Sequence, residues 1–311
     1  MVAAKHPGSG AAGAGGGIGR VGLLLWGIKS AFTSGTFEAL LYDELKASGQ
    51  AADYTRIYGR ARAFDSGGAF MAALGAAVAV RFGYPITLAA SVAAGGVAFL
   101  AAASLPPAPP AIAVRAHSYL VHLRLGLAGL AREPAVMSIL LFSAVILALG
   151  VALQEFWSIF GAKVGLTRPV IALFVGAQTL TEALVSLIAY RLAGLPTRGF
   201  YALLAVCGLL LATAAGLFTP AAMLLLALYS GLMKLIGVVF EGRLQHIITS
   251  DRRATIGSVK SFLAQIGFIT LYLSFGPLAQ ATSYRIAFLA CGFAGVAIGL
   301  TYLALPRPQR D

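Results

Sequence analysis

Long apolar segments alternate with short polar segments along most of this chain. The apolar segments lie at about 21–45, 65–82, 84–105, 135–157, 169–192, 199–217, 220–242, 254–275 and 284–305. Each is long enough to cross the hydrocarbon core of a bilayer, which is about 30 Å thick, as a helix. None shows the strict alternation of a membrane β-barrel strand. The pattern therefore predicts an all-α polytopic membrane protein with about nine transmembrane helices.

The composition indicates that lipid covers most of the surface. The 311 residues are 59% hydrophobic and 11% charged, with a mean hydropathy of +0.86. A soluble domain is typically about 45–50% apolar and about 25% charged. The 37 glycines suit close packing of membrane helices, which small residues permit.

Gly-rich and Pro-rich segments divide the chain. The first twenty residues are rich in Gly and Ala and lack the plan of a signal peptide, so we expect them to be disordered. The run Pro106-Pro107-Ala108-Pro109-Pro110 opens the longest connector and predicts a domain boundary. The expected parts are the N-terminus at 1–20, a partial N-terminal half of three helices at 21–105, a cytoplasmic linker at 106–134, a C-terminal half of six helices at 135–305 and a tail at 306–311.

The connectors are of two kinds. Tight turns are expected at Phe82-Gly83-Tyr84-Pro85, Phe218-Thr219-Pro220 and Gly276-Pro277. Longer, basic connectors are expected at 46–64, 191–198 and 243–253, besides the linker.

The net charge of +12 predicts an orientation in the membrane. Fourteen Lys and Arg residues lie on the side that holds the long connectors and the C-terminus, and six lie on the other. Because basic connectors stay in the cytoplasm, the C-terminus is expected there, in a multi-pass protein of the cell membrane. Nine crossings then leave the N-terminus outside. No basic surface is interleaved with aromatic residues, so nucleic acid is not expected as a partner.

Chemistry-bearing motifs are missing from the sequence. Cys207 and Cys291 lie inside apolar segments and behave as small hydrophobic residues. The four histidines lack metal-ligand spacing, and we find neither a Ser-His-Asp set nor a phosphate-binding loop. We therefore expect no enzyme activity, metal or cofactor.

Three segments carry a resemblance to a known family. Residues 34–45 read Ser-Gly-Thr-Phe-Glu-Ala-Leu-Leu-Tyr-Asp-Glu-Leu, with Tyr58-Gly59-Arg60-Ala61-Arg62 after them. Residues 241–261 begin Glu-Gly-Arg-Leu-Gln-His-Ile and end Ser-Val-Lys-Ser, and 194–199 read Gly-Leu-Pro-Thr-Arg-Gly. These segments resemble the fourth helix, the junction of the tenth and eleventh helices, and the connector between the eighth and ninth in bacterial transporters of the major facilitator superfamily.

The resemblance covers helices four to twelve of that family and lacks the first three. It implies two halves built from inverted repeats around a midplane cavity, and secondary transport of a small solute by alternating access with ion or proton coupling. Phe37-Glu38 and Phe240-Glu241 end proposed repeat mates. The Gly-Pro signature of drug–proton antiporters is missing from residues 67–75. Without the first three helices we expect the chain alone to be incomplete for transport, and to need self-association or separately encoded helices.

Two polar stripes lie within apolar segments. Gln178, Glu182, Ser186 and Tyr190 share one helical face, and Ser230, Lys234 and Glu241 share another. A charged group at mid-bilayer costs about 2.5–3.5 kcal/mol, so it needs a reason. We expect Glu182 and Lys234, with Gln178 and Ser230, to line a cavity that binds substrate or exchanges a proton. The alternative is a structural ion pair or a lysine that reaches the interface.

Five further residues are candidates for ion pairs that hold one conformation closed. They are Glu38, Asp43, Arg60, Glu241 and Arg253, all near predicted cytoplasmic helix ends. Trp26, Trp157 and Tyr284 are interpreted as interfacial anchors.

The rival hypothesis to transport is a membrane remnant or a scaffold that associates with other helices.

Overall fold

Every long element of the protein is a helix. A computed structural model describes residues 35–79, 82–104, 133–250 and 252–305, and these residues include no β-strand. The helices are α1 Thr36–Ala47, α2 Tyr54–Ala79, α3 Tyr84–Ala103, α4 Pro134–Gln154, α5 Trp157–Lys163, α6 Arg168–Ile188, α7 Thr197–Leu217, α8 Met223–Ile247, α9 Arg253–Ala281 and α10 Tyr284–Ala304. Short 3₁₀ turns occupy Ala51–Asp53, Ala189–Leu192 and Pro220–Ala222. The predicted all-α class is confirmed.

Within the described ranges, seven helical segments are long and apolar enough to cross a membrane. They are Pro85–Ala103, Pro134–Gln154, Arg168–Leu192, Thr197–Leu217, Pro220–Ile247, Thr255–Ala281 and Tyr284–Ala304. Most of the expected first span, 21–45, lies outside the described residues, and the second, 65–82, largely coincides with the charged helix α2. The protein is therefore a polytopic helical membrane protein, and nine crossings stay a prediction.

Several expected boundaries move. The helix α2 begins at Tyr54, so Tyr58 to Arg62 are helical rather than part of a connector. The expected turn at Gly276-Pro277 is wrong, because α9 continues through Pro277 to Ala281. Membrane helices tolerate an internal proline, since neighbouring groups satisfy the freed backbone carbonyl. The turns at Gly83 and Phe218 are found, both with positive φ.

The expected N-terminus at 1–20, nearly all of the linker at 106–134 and the tail at 306–311 lie outside the described residues.

The helix α8 forms the centre of the packing. It contacts α2, α4, α6 and α7, while α9 packs on α4 and α10 packs on α7. The core between these helices is aromatic, with Phe142, Trp157, Phe240 and Phe288 almost completely buried. Glycines bring two helix pairs close. A Cβ on Gly292 of α10 would lie 2.6 Å from the backbone nitrogen of Ala212 in α7, and one on Gly35 would lie 2.9 Å from Gly257 of α9.

Two helices show little burial. The described side chains of α3 are almost all exposed, and those of α9 are mostly exposed or half-buried. In a membrane, an exposed apolar helix contacts either lipid or another helix.

Candidate functional site

The structure brings Glu182 and Lys234 together from two different helices. Glu182 lies in the second half of α6, and Lys234 lies near the middle of α8. The Lys234 Nζ is 3.7 Å from the Glu182 Oε2, and the glutamate side chain is 7% exposed against 23% for the lysine. The pair joins residues that the two predicted stripes singled out.

Amide groups surround the glutamate. Its Oε1 accepts hydrogen bonds from Gln154 Nε2 at 2.7 Å and from Gln178 Nε2 at 3.2 Å. Gln154 is the last residue of α4, and Ser66 of α2 also lies beside the carboxylate. Four helices therefore meet at this one side chain. We call Glu182, Lys234, Gln154 and Gln178 the central site.

One atom of the central site lacks a partner. Gln178 is 3% exposed, and among the described residues its Oε1 accepts no hydrogen bond. A buried carbonyl oxygen normally has a donor, and leaving it without one costs about 1–3 kcal/mol. The site therefore holds an acceptor that can bind a donor from a ligand or a water molecule.

Ser230 lies one turn before Lys234 on α8 but outside the central site. Its Oγ accepts a hydrogen bond from Trp157 Nε1 at 3.3 Å. Trp157 is 1% exposed and packs on Tyr229 and Phe288. The expectation of an interfacial anchor at Trp157 is therefore wrong, because a buried serine supplies the acceptor that its indole N–H needs. Of the other expected anchors, Tyr284 forms a cation–π contact with Lys163, whose Nζ lies 4.9 Å from the ring centre. Trp26 lies outside the described residues.

A second group of charges joins α1 and α2. Arg62 Nη2 lies 3.1 Å from Glu38 Oε1, and Arg62 Nε donates to the Tyr58 hydroxyl at 2.9 Å. Arg60, the arginine of α2 that the sequence offered as an ion-pair candidate, is exposed and forms no ion pair within the described part of the chain. Tyr58 and Arg62 are four residues apart. Because α2 is helical here, they share the face that meets α1.

The same end of the structure joins α8 to α9. The Lys260 Nζ donates to Glu241 Oε2, and Glu241 Oε1 also accepts from Gln245 Nε2 at 2.8 Å. Arg253 donates to the side chain of Gln245, with Nη1 at 3.2 Å from Oε1, and to the Gln245 backbone carbonyl. Glu241 and Arg253, both predicted, are therefore bridged by an unpredicted glutamine.

Arg253 also holds α1. Its Nε lies 3.2 Å from Asp43 Oδ1, outside hydrogen-bond geometry, and its guanidinium lies 3.9 Å from the ring centre of Tyr42. The Tyr42 hydroxyl lies 3.1 Å from His246 Nδ1, and Ser250 donates to Asp43 at 3.0 Å. The ion-pair cluster, defined as Glu38, Asp43, Arg62, Glu241, Arg253 and Lys260, thus connects α1 and α2 to α8 and α9.

Four residues of these sites were missed by sequence reasoning. They are Gln154, Arg62, Gln245 and Lys260. A signal existed for Lys260, since a lysine inside an apolar segment is costly unless it is paired. Gln154 and Gln245 are neutral and lie near helix ends, so no comparable cost marks them.

The cleft farther along α8 is separate from the central site. A cavity of about 250 Å³ is lined by residues that include Glu133, Val136, Ile248 and Arg252. Ile248 is fourteen residues beyond Lys234, which corresponds to about 20 Å along a helix.

The described residues contain no group of three or more metal-ligating side chains.

Comparison with known proteins assigns no family. No protein-family model matches the sequence, and no curated protein is significantly similar to it. A helical membrane fold by itself hosts many functions, so function has to be argued from the sites.

Proposed function

We propose that this protein is a secondary active transporter that moves a small solute across the cell membrane by alternating access, coupled to a proton or another ion. The observation that carries the proposal is the Glu182–Lys234 pair, in two helices long enough to span the membrane. An ion pair buried for stability alone is a poor choice, because apolar side chains of the same volume are often as stabilising. Ionisable groups inside membrane helices are typical of substrate and proton pathways.

The ion-pair cluster supports alternating access. Such a mechanism needs contacts that close one end of the protein in one conformation and break in the other. The contacts Glu38–Arg62 and Asp43–Arg253 have the required form, since the second joins α1 to the start of α9. Charged partners can separate into water when that end opens, whereas an apolar seal cannot be rehydrated at low cost.

The resemblance to the major facilitator superfamily supports the same proposal. It implies that Phe37-Glu38 and Phe240-Glu241 occupy equivalent positions in two repeats. Glu38 lies in the first turn of α1 and Glu241 lies near the end of α8. Both glutamates are buried, and each forms an ion pair, with Arg62 and Lys260 respectively. On this proposal residues 21–305 supply the fourth to twelfth helices of such a transporter.

Proton movement in native membranes tests the proposal. Inverted vesicles would be prepared from source cells that carry either the wild-type gene or Glu182→Gln at its natural locus, so that any partner helices are present. A pH-sensitive dye would then report the response to each member of a panel of small solutes. We expect at least one solute to move protons in wild-type vesicles and not in Glu182→Gln vesicles.

The matched control is Glu155→Gln, which removes an exposed glutamate at the end of α4. It should behave as wild type. If wild-type and Glu182→Gln vesicles respond alike to every solute, the proposal is wrong.

The exposure of α3 and α9 favours a second candidate, a scaffold that associates with other membrane helices. Helices that bury few of their side chains have room for partners. For a scaffold, Glu182→Gln would leave vesicle responses unchanged, while a bulky substitution at an exposed position such as Gly95 would dissociate a complex in native gels. For a transporter, the Glu182→Gln variant would lose the proton response.

A further inference from the structure

The two charges of the central site differ in how a ligand can reach them. The Lys234 side chain is 23% exposed, whereas the Glu182 side chain is 7% exposed and lies behind two amide groups. A solute that reaches the pair from its exposed side therefore meets the ammonium before the carboxylate. The accessible charge is positive.

The two charges also differ in how well they are already satisfied. Oε1 of Glu182 accepts two hydrogen bonds from Gln154 and Gln178. The 3.7 Å separation between Lys234 Nζ and Glu182 Oε2 is longer than a usual hydrogen bond, so this contact is weak. An ammonium group has three donors, so Lys234 has donors available for an anion.

The buried Gln178 Oε1 adds a second recognition element. Its amide nitrogen donates to Glu182, which leaves the oxygen to accept from another group. A ligand that carries a hydroxyl or N–H group beside its anionic group could supply that donor. The Lys234 ammonium and the Gln178 amide oxygen, one a cation and one a neutral acceptor, suit a small polar anion.

We propose that the solute is a small organic anion whose carboxylate binds Lys234 in place of Glu182, and whose hydroxyl or N–H group donates to Gln178. This inference rests on the proposed transport function and names its substrate class. The resting site is neutral, because one negative and one positive charge cancel. When the carboxylate of the anion binds, Glu182 takes up a proton from the hydronium ions of the aqueous medium, so the loaded pair is neutral again. Neutrality matters since an uncompensated charge in a dry interior is costly.

Ligand-dependent thermal stability of the purified full chain in detergent tests the inference. The anionic probes are propionate, lactate, succinate and malate, and the cationic probes are propylamine and putrescine, each at about 20 mM. Anything that binds only the folded state raises its melting temperature. We expect at least one anion, but neither amine, to raise it by about 2–4 °C. The hydroxylated members, lactate and malate, should exceed propionate and succinate because of Gln178.

Variants of the central site give opposite expectations. Lys234→Gln should abolish the anion effect, and Lys234→Arg should retain it. Glu182→Gln removes the carboxylate that competes for Lys234, so it should lower the Kd for the anion by about tenfold or more. Lys46→Gln, which removes an exposed lysine at the end of α1, is the matched control and should leave the shift unchanged.

Three outcomes would overturn the inference: stabilisation by the amines instead, stabilisation by none of the anions, or an equal shift in Lys234→Gln. If Lys234→Gln does not fold, the comparison of Lys234→Arg with Glu182→Gln decides, since an unchanged or weaker Kd in Glu182→Gln contradicts the competition. Binding without proton movement in vesicles would refute transport and leave the anion site standing. Solute-dependent proton movement without anion binding would refute the anion site and leave the transport proposal standing.

Discussion

Lys260 of α9 forms an ion pair with Glu241 of α8, and the two side chains are only 9% and 5% exposed. Gln245 donates a further hydrogen bond to the same carboxylate. Little water reaches either charge, so each depends on the other for compensation. The pair therefore fixes the position of α9 against α8 more strictly than apolar contacts at that end could.

Removing one partner of this pair should destabilise the protein strongly. Lys260→Met leaves Glu241 buried without its cation, and we expect the free energy of unfolding to fall by about 3–5 kcal/mol. The double variant Glu241→Leu with Lys260→Met removes both charges and should recover much of that loss. Equilibrium unfolding in mixed micelles measures both.

The control is the exposed pair Arg56–Asp53, whose side chains are 43% and 42% exposed. Arg56→Met should cost less than about 1 kcal/mol. A Lys260→Met variant as stable as Arg56→Met would show that the buried pair is not needed to hold α8 and α9 together.

Arg253 should not be replaceable by lysine. It donates to both oxygens of Gln245, approaches Asp43 and covers the ring of Tyr42, and a guanidinium can do all of this at once. An ammonium has no plane to lay on the ring and cannot reach every partner. We expect Arg253→Lys to lower the free energy of unfolding by about 2 kcal/mol.

Arg60→Lys is the matched control for that substitution, since Arg60 is exposed and lies on α2, which carries none of these partners. Its unfolding midpoint should equal that of wild type. Equal losses in both variants would contradict a specific role for the Arg253 guanidinium.

The contact between α7 and α10 should fail when a methyl group is added to it. A Cβ on Gly292 would lie 2.6 Å from the backbone nitrogen of Ala212, so the two helices would have to separate. We expect Gly292→Ala to cost about 1–3 kcal/mol, as overpacked cores do. Gly216→Ala in α7 meets open space and should be neutral or slightly stabilising. Thermal unfolding of the two variants in detergent checks the difference, and a Gly292→Ala protein as stable as wild type would rule out the close approach.

The orientation in the membrane can be read with reporter fusions. The fourteen-to-six distribution of basic residues puts residue 120 and the C-terminus in the cytoplasm and residue 164, which follows α5, outside. Fusions at these positions should report two cytoplasmic sites and one external site. Opposite sides for residue 120 and the C-terminus would mean that the number of crossings between them is odd.

Helical periodicity predicted which polar residues share a face, but not what that face meets. Gln178, Glu182 and Ser186 are four apart, and all three are buried as one stripe. The same reasoning put Ser230 with Lys234, yet Ser230 bonds Trp157 from the separate short helix α5. Spacing fixes direction within a helix, whereas the partner depends on which helix packs there.

By itself, the sequence determined that this is a helical membrane protein, marked Glu182 and Lys234 as charges inside membrane helices, and marked Glu38 and Glu241 as candidates for ion pairs. Segment length, hydropathy and the period of 3.6 residues are properties of a continuous stretch of chain, so they can be determined without knowledge of the fold. Only the tertiary structure decided the partners. Glu38 pairs with Arg62, and Glu241 pairs with Lys260. These partners are 24 and 19 residues apart, and Gln154 is 28 residues from Glu182. Such pairs form only where packing between separate helices brings their faces into register.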